Sequence, residues 1–362
     1  MSPFNCAHGN HAPVLLHPLP VSLTAVAVAI GLLTATCSAQ AADLPTGGTI
    51  VGGSGSIVTS GRTLTVTQSS QRLATDWQSF NIGAGNTVNF VQPSAQAVAL
   101  NRVLGPDVSV IQGALNANGQ VFLVNPHGVL FTPTAQVNVG GIVASTLQLR
   151  KEDFMAGNYR FSGSSANAIV NRGHITATGD GAHGGSVALI AAKIRNEGSL
   201  TSQGGQVLLG AGSEVLLDLG STVSLSVTQG TLDTLIEQGG AIKADGGLVY
   251  LSAKSLNALT STVIQHTGVT QAQTLVTGEQ GQIYLMGGMA KDRIEVGGTL
   301  DASAPRGGSG GFVETSAAQL KIAPDMRVTT QASSGNTGRW LIDPTDFTIT
   351  AGSSDQTTNS IG

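Results

Sequence analysis

The stretch GGSVALIAAKIRNEGSLTSQGGQVLLGAG, residues 184–212, contains one short pattern twice. A Gly-Gly-x-Val element opens each apolar run, and the two valines, Val187 and Val207, are 20 residues apart. The element returns with Val249, 42 residues later, which is close to two such units. Looser copies follow at residues 281–283 (GQI) and 310–313 (GGFV). The chain therefore repeats itself with a period near 20 residues.

A second pattern, glycine followed by one residue and then Ile or Leu, alternates with the first. Its copies are residues 173–175 (GHI), 198–200 (GSL), 240–242 (GAI) and 298–300 (GTL). The segments between glycines are short and β-like, and the nearest helical candidate, residues 231–238, is too short to predict a helix. A period near 20 residues with glycine at the corners is typical of stacked β coils. We therefore predict an all-β fold, a right-handed parallel β-helix with an N-terminal β cap.

One coil of this kind cannot bury its own apolar side chains, so it stacks on its neighbours with a spacing of about 4.8 Å. The pattern places Leu208 in the predicted interior, and the residues from Ala42 onward would form about fifteen coils if all of them took part. A β-sandwich array is the alternative fold, but its strands would follow each other without the repeated Gly-Gly-x-Val corner.

The composition fits a folded protein that does not bind nucleic acid. Only 10% of the 362 residues are charged and 49 are glycine, whereas disordered chains carry more charge and fewer Val, Ile and Leu residues. The net charge of −4 offers no basic field to nucleic acid or to an anionic membrane. Neither partner is expected.

Residues 1–41 have the features of an export signal. An apolar stretch at residues 21–33 leads to Ala39 and Ala41, an A-x-A cleavage pattern after which Ala42 would begin the mature chain. No Lys or Arg precedes the stretch, which is unusual for a signal peptide. A membrane anchor is the first alternative, although the stretch is shorter than the roughly 20 residues that span a bilayer. Lipidation at Cys37 is the second.

Both cysteines, Cys6 and Cys37, lie in this signal, so the mature chain would form no disulfide. An uncrosslinked chain can be threaded unfolded through a narrow channel. The mature chain is predicted to have two parts. Residues 42–165 repeat less cleanly and would form the domain core and its cap, with Trp77 sealing the end. Residues 166–362 would continue the coils and be cut short at the C-terminus.

The segment GQVFLVNPHGVLF, residues 119–131, contains a predicted corner between two strands. Asn125 suits the first position of a type I turn, Pro126 presets φ at the second, His127 follows, and Gly128 fits the fourth.

Four blocks carry a resemblance to a known family. In order, they are WQSFNIGAGNTVNF (77–90), NRVLG (101–105), IQGALNANGQVFLVNPHGVLF (111–131) and VNVGGIVAST (137–146). This series resembles the N-terminal secretion domain, or haemagglutination activity domain, of the filamentous haemagglutinin-like exoproteins of two-partner secretion. Later segments, such as GRWLIDPTDFTI (338–349), resemble the continuing β-helix of the same large adhesins.

The resemblance implies a secretion route. The general secretion machinery would carry the chain across the inner membrane of a Gram-negative bacterium, and the periplasmic domains of an outer-membrane β-barrel transporter would recognise the N-terminal domain. The chain would then pass through the barrel unfolded and fold as a secreted or surface-bound β-helix. Stacking outside would favour outward motion.

The resemblance also points to recognition residues. The family's NPNG-type secretion motif aligns with Asn125, Pro126, His127 and Gly128, with His127 in place of the usual second Asn. His is also enriched in left-handed turn conformations, so the turn is expected to survive. Asn101 and Arg102 of the NRVLG block are further candidates. A second family motif, NPNL, has no copy here.

The sequence offers no convincing catalytic or metal site. Glu152 and Asp153 lie beside Arg150 and Lys151, which predicts a solvated charge cluster in a loop. The histidines are dispersed, without the spacing of a zinc motif. Asp180 resembles half of a calcium loop, but the nonapeptide series of calcium-binding rolls is missing. No enzyme activity and no cofactor are therefore expected.

Three functions stay open at this point. The first is an adhesin that attaches to an unidentified receptor or glycan on a host or bacterial surface. The second is a stalk that delivers a toxin in contact-dependent inhibition, and the toxin would lie beyond residue 362. The third is a β-helix enzyme that acts on polysaccharides.

Overall fold

The structure, a computed structural model, describes residues 44–180, 184–219, 224–256, 261–275 and 279–345. In these residues four β-sheets, here named A to D, contain 34 strands, and the helix α1 (Lys151–Ala156) accompanies sheet D. The predicted signal peptide and its cleavage residues Ala39, Ala41 and Ala42 lie outside the described residues.

The strands are numbered in chain order. Sheet A contains β1 (Thr49–Gly52), β4 (Arg72–Trp77), β6 (Val98–Val103), β9 (Gln120–Val124), β12 (Gly141–Ser145), β17 (Ser186–Ala191), β20 (Gln206–Ala211), β25 (Leu248–Ala253), β28 (Gln282–Met286), β31 (Phe312–Ala317) and β34 (Arg339–Pro344). Sheet B contains β7 (Ser109–Ile111), β10 (Val129–Phe131), β15 (Ala168–Asn171), β18 (Lys193–Asn196), β23 (Leu235–Gln238), β26 (Ser261–His266), β29 (Asp292–Val296) and β32 (Gln319–Ile322).

Sheet C contains β2 (Gly55–Ser60), β3 (Thr63–Gln68), β5 (Thr87–Val91), β8 (Ala114–Ala117), β11 (Gln136–Val139), β16 (His174–Ala177), β19 (Ser199–Thr201), β24 (Ala241–Lys243), β27 (Val269–Gln271), β30 (Thr299–Asp301) and β33 (Arg327–Thr329). Sheet D contains β13 (Gln148–Leu149), β14 (Tyr159–Ser162), β21 (Glu214–Asp218) and β22 (Ser224–Gln229).

From β6 to β34, each coil visits sheets A, B and C in turn, as β9, β10 and β11 do before β12 returns to sheet A. The pairs within these three sheets are parallel except β1 with β4 and β2 with β3. β1 and β2, which pair antiparallel with β4 and β3, cap the N-terminal end of the helix. Trp77 is buried there against Gly48, where any side chain would overlap its ring. The predicted right-handed parallel β-helix with an N-terminal β cap is confirmed.

Both sequence patterns correspond to columns of the stack. Val187, Val207, Val249, Ile283 and Val313 pair one above the other in sheet A. Residues Ile175, Leu200, Ile242 and Leu300 of the second pattern occupy one column of sheet C, in which Thr270 stands between the last two.

Not every residue takes part in the coils, because two long inserts leave the helix, and the interpretation of the 42-residue spacing as two units was wrong. Val207 pairs directly with Val249, so their spacing is one coil that contains the hairpin β21–β22. Another insert, with β13, α1 and β14, leaves the coil that joins Ile142 to Val187. Sheet A therefore has eleven strands in the described residues.

The inserts form a second core outside the helix. Sheet D and α1 cover the outer face of sheet A, where Phe122 contacts the rings of Phe154, Tyr159 and Phe161. Leu208 belongs to this second core, so its predicted place in the helix interior was wrong, although it is fully buried. In this part of sheet A, apolar residues face both ways because both faces of the sheet are covered.

The charged segment at residues 150–153 was predicted to be a loop, but most of it forms α1. Lys151, Glu152 and Asp153 occupy its first turn, and Arg150 forms an ion pair with Asp153 at 2.7 Å. Burial of the Phe154 side chain in the second core stabilises this segment as a helix.

Candidate functional site

The predicted corner between β9 and β10 is present, and residues 125–128 form it. The Gly128 backbone N–H donates to the Asn125 carbonyl at 3.0 Å, which closes the turn. The His127 backbone N–H donates to the side-chain oxygen of Asn125 at 2.9 Å. Gly128 has a φ of 115°, which few residues other than glycine adopt. We call these four residues the 125–128 corner.

Asn125 ties this corner to the coil below it. Its side-chain amide donates to the Asp107 carbonyl at 2.9 Å and to the Ser109 hydroxyl at 3.0 Å. Its backbone N–H donates to the Ser145 carbonyl in the coil above at 2.9 Å. The side chain has no exposed surface in the folded domain.

The next two residues of the corner reach the surface. The Pro126 carbonyl accepts hydrogen bonds from the Ser165 hydroxyl at 2.6 Å and from the Asn167 side-chain amide at 2.9 Å. His127 is exposed and lines an open polar pocket with Pro126, Gln148 and Asn167.

Asn101 and Arg102 are neighbours in β6 and point to opposite faces of sheet A. Asn101 is fully buried, accepts a hydrogen bond from the Trp77 indole N–H at 3.0 Å, and donates to the Phe122 carbonyl at 3.3 Å. The Arg102 guanidinium forms two hydrogen bonds with the Asp76 carboxylate, at 2.7 and 2.8 Å. Asn101 thus forms hydrogen bonds inside the N-terminal end of the helix, while Arg102 forms an ion pair on its outer face.

The structure brings the predicted recognition residues into neighbouring coils, since Arg102 pairs with Val124, the residue before the corner. It does not place them on one accessible surface. Only His127 is exposed, Pro126 and Arg102 are half-buried, and the remaining three are buried.

Sequence reasoning missed a polar ladder inside the helix. Asn171, Asn196, Gln238 and His266 are fully buried and follow one another in sheet B. The Asn171 amide donates to Asn196 at 2.8 Å, and the Asn196 amide donates to Gln238 at 2.7 Å. The sequence did contain a signal for this ladder. Each of the four residues lies two positions before a glycine at a corner of its coil.

His266 ends this ladder. Its ring nitrogens hydrogen-bond the Gly297 carbonyl at 2.7 Å and the Thr270 hydroxyl at 2.9 Å. Burial lowers the pKa of His266 below its ordinary value of 6.5. The Gly297 carbonyl can only accept, so Nδ1 carries the proton, and the neutral ring takes the Thr270 hydroxyl hydrogen on Nε2.

Among the described residues, no group of three His, Cys, Asp or Glu side chains is placed to hold a metal ion. Within the same ranges, no helix is long and apolar enough to cross a membrane.

Comparisons with known proteins agree with this fold. The profile of the TPS secretion domain matches residues 41–301. A heme/hemopexin-binding protein of Haemophilus influenzae (strain ATCC 51907 / DSM 11121 / KW20 / Rd) is 32% identical over 257 residues, which are 70% of this chain and 28% of that protein. Another heme/hemopexin-binding protein of Haemophilus influenzae is 29% identical over 252 residues, 64% of this chain and 26% of that protein.

The chain thus spans less than a third of the length of these curated relatives. The crystal structure of the HMW1 secretion domain from Haemophilus influenzae is similar, with a TM-score of 0.73 and 26% identity. The similarity covers 82% of this chain and 76% of that one. The chain therefore belongs to the exoproteins of two-partner secretion, and the family match assigns its TPS secretion domain to residues 41–301.

Proposed function

We propose that the periplasmic domains of a cognate outer-membrane β-barrel transporter recognise the 125–128 corner while the chain is still unfolded. Membership of the TPS family implies such a transporter as the partner. The burial of Asn125 supports recognition before folding, because its side chain has no exposed surface and all its hydrogen bonds are internal. A transporter that reads this amide therefore meets it before the coils stack.

Folding then ends the interaction. Once Asn125 bonds to Asp107 and Ser109, the amide is no longer available, and the surface retains mainly the His127 ring. Recognition would precede transport, and stacking of coils outside the cell would make transport irreversible. Asn101 and Arg102, in the adjacent coil, would be part of the same unfolded recognition segment.

A binding experiment tests the proposal. Purified periplasmic domains of the transporter are titrated with the folded chain and with chain freshly diluted from urea. We expect binding to the unfolded chain alone, weakened about tenfold or more by Asn125→Ala. The matched control is Asn171→Ala, which removes an equally buried Asn outside the motif. Binding by the folded chain with equal affinity, or equal losses in both variants, would contradict the proposal.

For the whole exoprotein we propose attachment to a host-cell or bacterial surface, as the resemblance to haemagglutinin-like exoproteins implies. The curated relatives are named for binding haem and hemopexin, so ligand capture is the alternative supported by a comparison. Adherence of bacteria that secrete the full exoprotein, measured with and without added hemopexin, separates these two roles. Loss of adherence on deletion of the gene supports attachment, while unchanged adherence contradicts it.

A further inference from the structure

Sheet D stops partway along sheet A. Its last strand, β22, lies against both β20 and β25, and Leu225 lies directly over Gly210 of β20. Leu225 and Val227 are buried in the second core, and Tyr250 of β25 packs against that core only in part. The outer face of sheet A continues past this point through β28, β31 and β34.

In the part of the chain that the structure describes, the edge strand β22 has neither a charged residue nor a proline to oppose pairing. Its sequence, SLSVTQ, contains no charged residue and no proline, and its side chains alternate between exposed and buried before the exposed Gln229. Edge strands of soluble proteins commonly carry a lysine, a proline or a bulge that prevents another strand from adding. β22 does contain one bulge, because Glu214 pairs with Gln229 and Val215 with Val227, which leaves Thr228 with no residue opposite it. Residues 224–227 keep a regular register.

Aromatic side chains continue from this edge along sheet A. The rings of Tyr250 and Tyr284 are 5.9 Å apart, and those of Tyr284 and Phe312 are 5.6 Å apart. We call these three residues the aromatic strip. All three are half-buried, whereas every other aromatic residue in the described ranges except Trp340 is buried.

The strand spacing in sheets D and A places the next position beyond the edge strand β22 over the aromatic strip. Neighbouring strands and neighbouring coils are both about 4.8 Å apart, so each strand of sheet D covers roughly one coil. A strand added to β22 would therefore lie over Tyr250 and Tyr284, and its apolar side chains would bury the strip as Leu225 and Val227 bury the coils before it.

The occupant is an extended segment and not a second copy of the chain. A copy that offered its own β22 would bring its own sheet A into the space occupied by β28, β31 and β34. The Glu314 carboxylate favours a basic residue in the bound segment, because Glu314 pairs with Tyr284 in register and shares its outward face. We propose that β22 and the aromatic strip bind an extended strand of a partner protein with a basic residue opposite Glu314 and apolar residues flanking it.

The test uses the full chain and a fluorescent peptide, acetyl-Thr-Val-Thr-Lys-Thr-Val-Ser-amide, in which both valines and the lysine share one face. We expect saturable binding that weakens about tenfold or more in Tyr284→Ala and in Ser226→Lys, which places a charge on the edge. Tyr284→Phe and the control Asn138→Lys, at an exposed position of β11, should bind as the unmodified chain does.

A charge reversal keeps the test sharp if Tyr284→Ala fails to fold. Glu314→Lys should lose the lysine peptide and gain a peptide with glutamate at that place, because attraction becomes repulsion and the reverse. No binding by the unmodified chain, equal binding by all variants, or a dimer that Ser226→Lys dissociates in sedimentation would each overturn the proposal.

Discussion

The side-chain oxygen of Asn125 accepts a hydrogen bond from the backbone N–H of His127 at 2.9 Å, while the nitrogen of the same amide donates to the preceding coil. One buried side chain therefore fixes both the turn and its attachment to the stack. An aspartate could accept the first bond but could not donate the others.

Asn125→Ala should lower the free energy of unfolding by about 1–3 kcal/mol, because it leaves buried polar groups without their partner. Asn171→Ala should cost a similar amount, since Asn171 is equally buried and also bonds to three partners. Urea denaturation measures both losses. We expect the amount of protein in the culture supernatant to fall only for Asn125→Ala, and an equal fall in both variants would reduce the corner to a structural turn.

His127→Asn restores the residue that the family motif usually carries. The His127 side chain is exposed, so the free energy of unfolding should change by no more than about 0.5 kcal/mol. Secretion through the cognate transporter should stay the same or rise, and His127→Ala should secrete less than either. Supernatant yields of the unmodified chain and the two variants check this order, provided that their free energies of unfolding are equal. Indistinguishable yields would show that the third motif position is not read.

Much of the fold was predictable because stacked coils repeat their side chains. The valines at 187, 207 and 249 lie in one column because the same inward position recurs in each coil. The same logic failed for the distance from Val207 to Val249. A hairpin insert and an extra coil add similar numbers of residues, so a spacing of 42 does not distinguish them.

The candidate site was less predictable for a physical reason. The NPHG letters predict a turn, and the turn is present, but no local pattern shows whether its Asn points outward or into the stack. That direction depends on Asp107 and Ser109, which belong to the previous coil. Asn101 is likewise buried, in the middle of β6, and the NRVLG letters alone do not show which way its side chain points.

Leu208 and Leu209 are adjacent in β20 and serve different cores, so they give a paired prediction. Aspartate at either position should lower the free energy of unfolding by several kcal/mol, because each places an unpaired charge in a fully buried site. Leu208→Asp should release sheet D first, seen as faster amide hydrogen exchange in β14 and β21. Leu209→Asp should expose the coil interior itself.

Leu216→Asp is the matched control for this pair. Leu216 lies in β21 and is 42% exposed, so aspartate there should cost far less than at Leu208. A melting curve of Leu208→Asp that resembles the control would contradict the existence of the second core.

His266 predicts that stability declines in mild acid. Burial lowers the pKa of His266 in the folded domain, whereas the unfolded chain titrates near the ordinary value of 6.5. Below that pH the unfolded chain takes up a proton that the folded chain refuses, so the free energy of unfolding falls as the pH falls. Above it both states are neutral and the contribution is flat. The slope from this one group reaches at most about 1.4 kcal/mol per pH unit.

Urea denaturation from pH 8 to pH 5.5 measures this slope above the range in which most carboxylates titrate. His266→Gln is the informative variant, because glutamine can still donate to Gly297 and accept from Thr270 but carries no titrating group. It should flatten the decline between pH 6.5 and 5.5, while His174→Gln, at an exposed position of β16, should leave it unchanged. An undiminished slope in His266→Gln would mean that a group other than His266 causes the acid sensitivity.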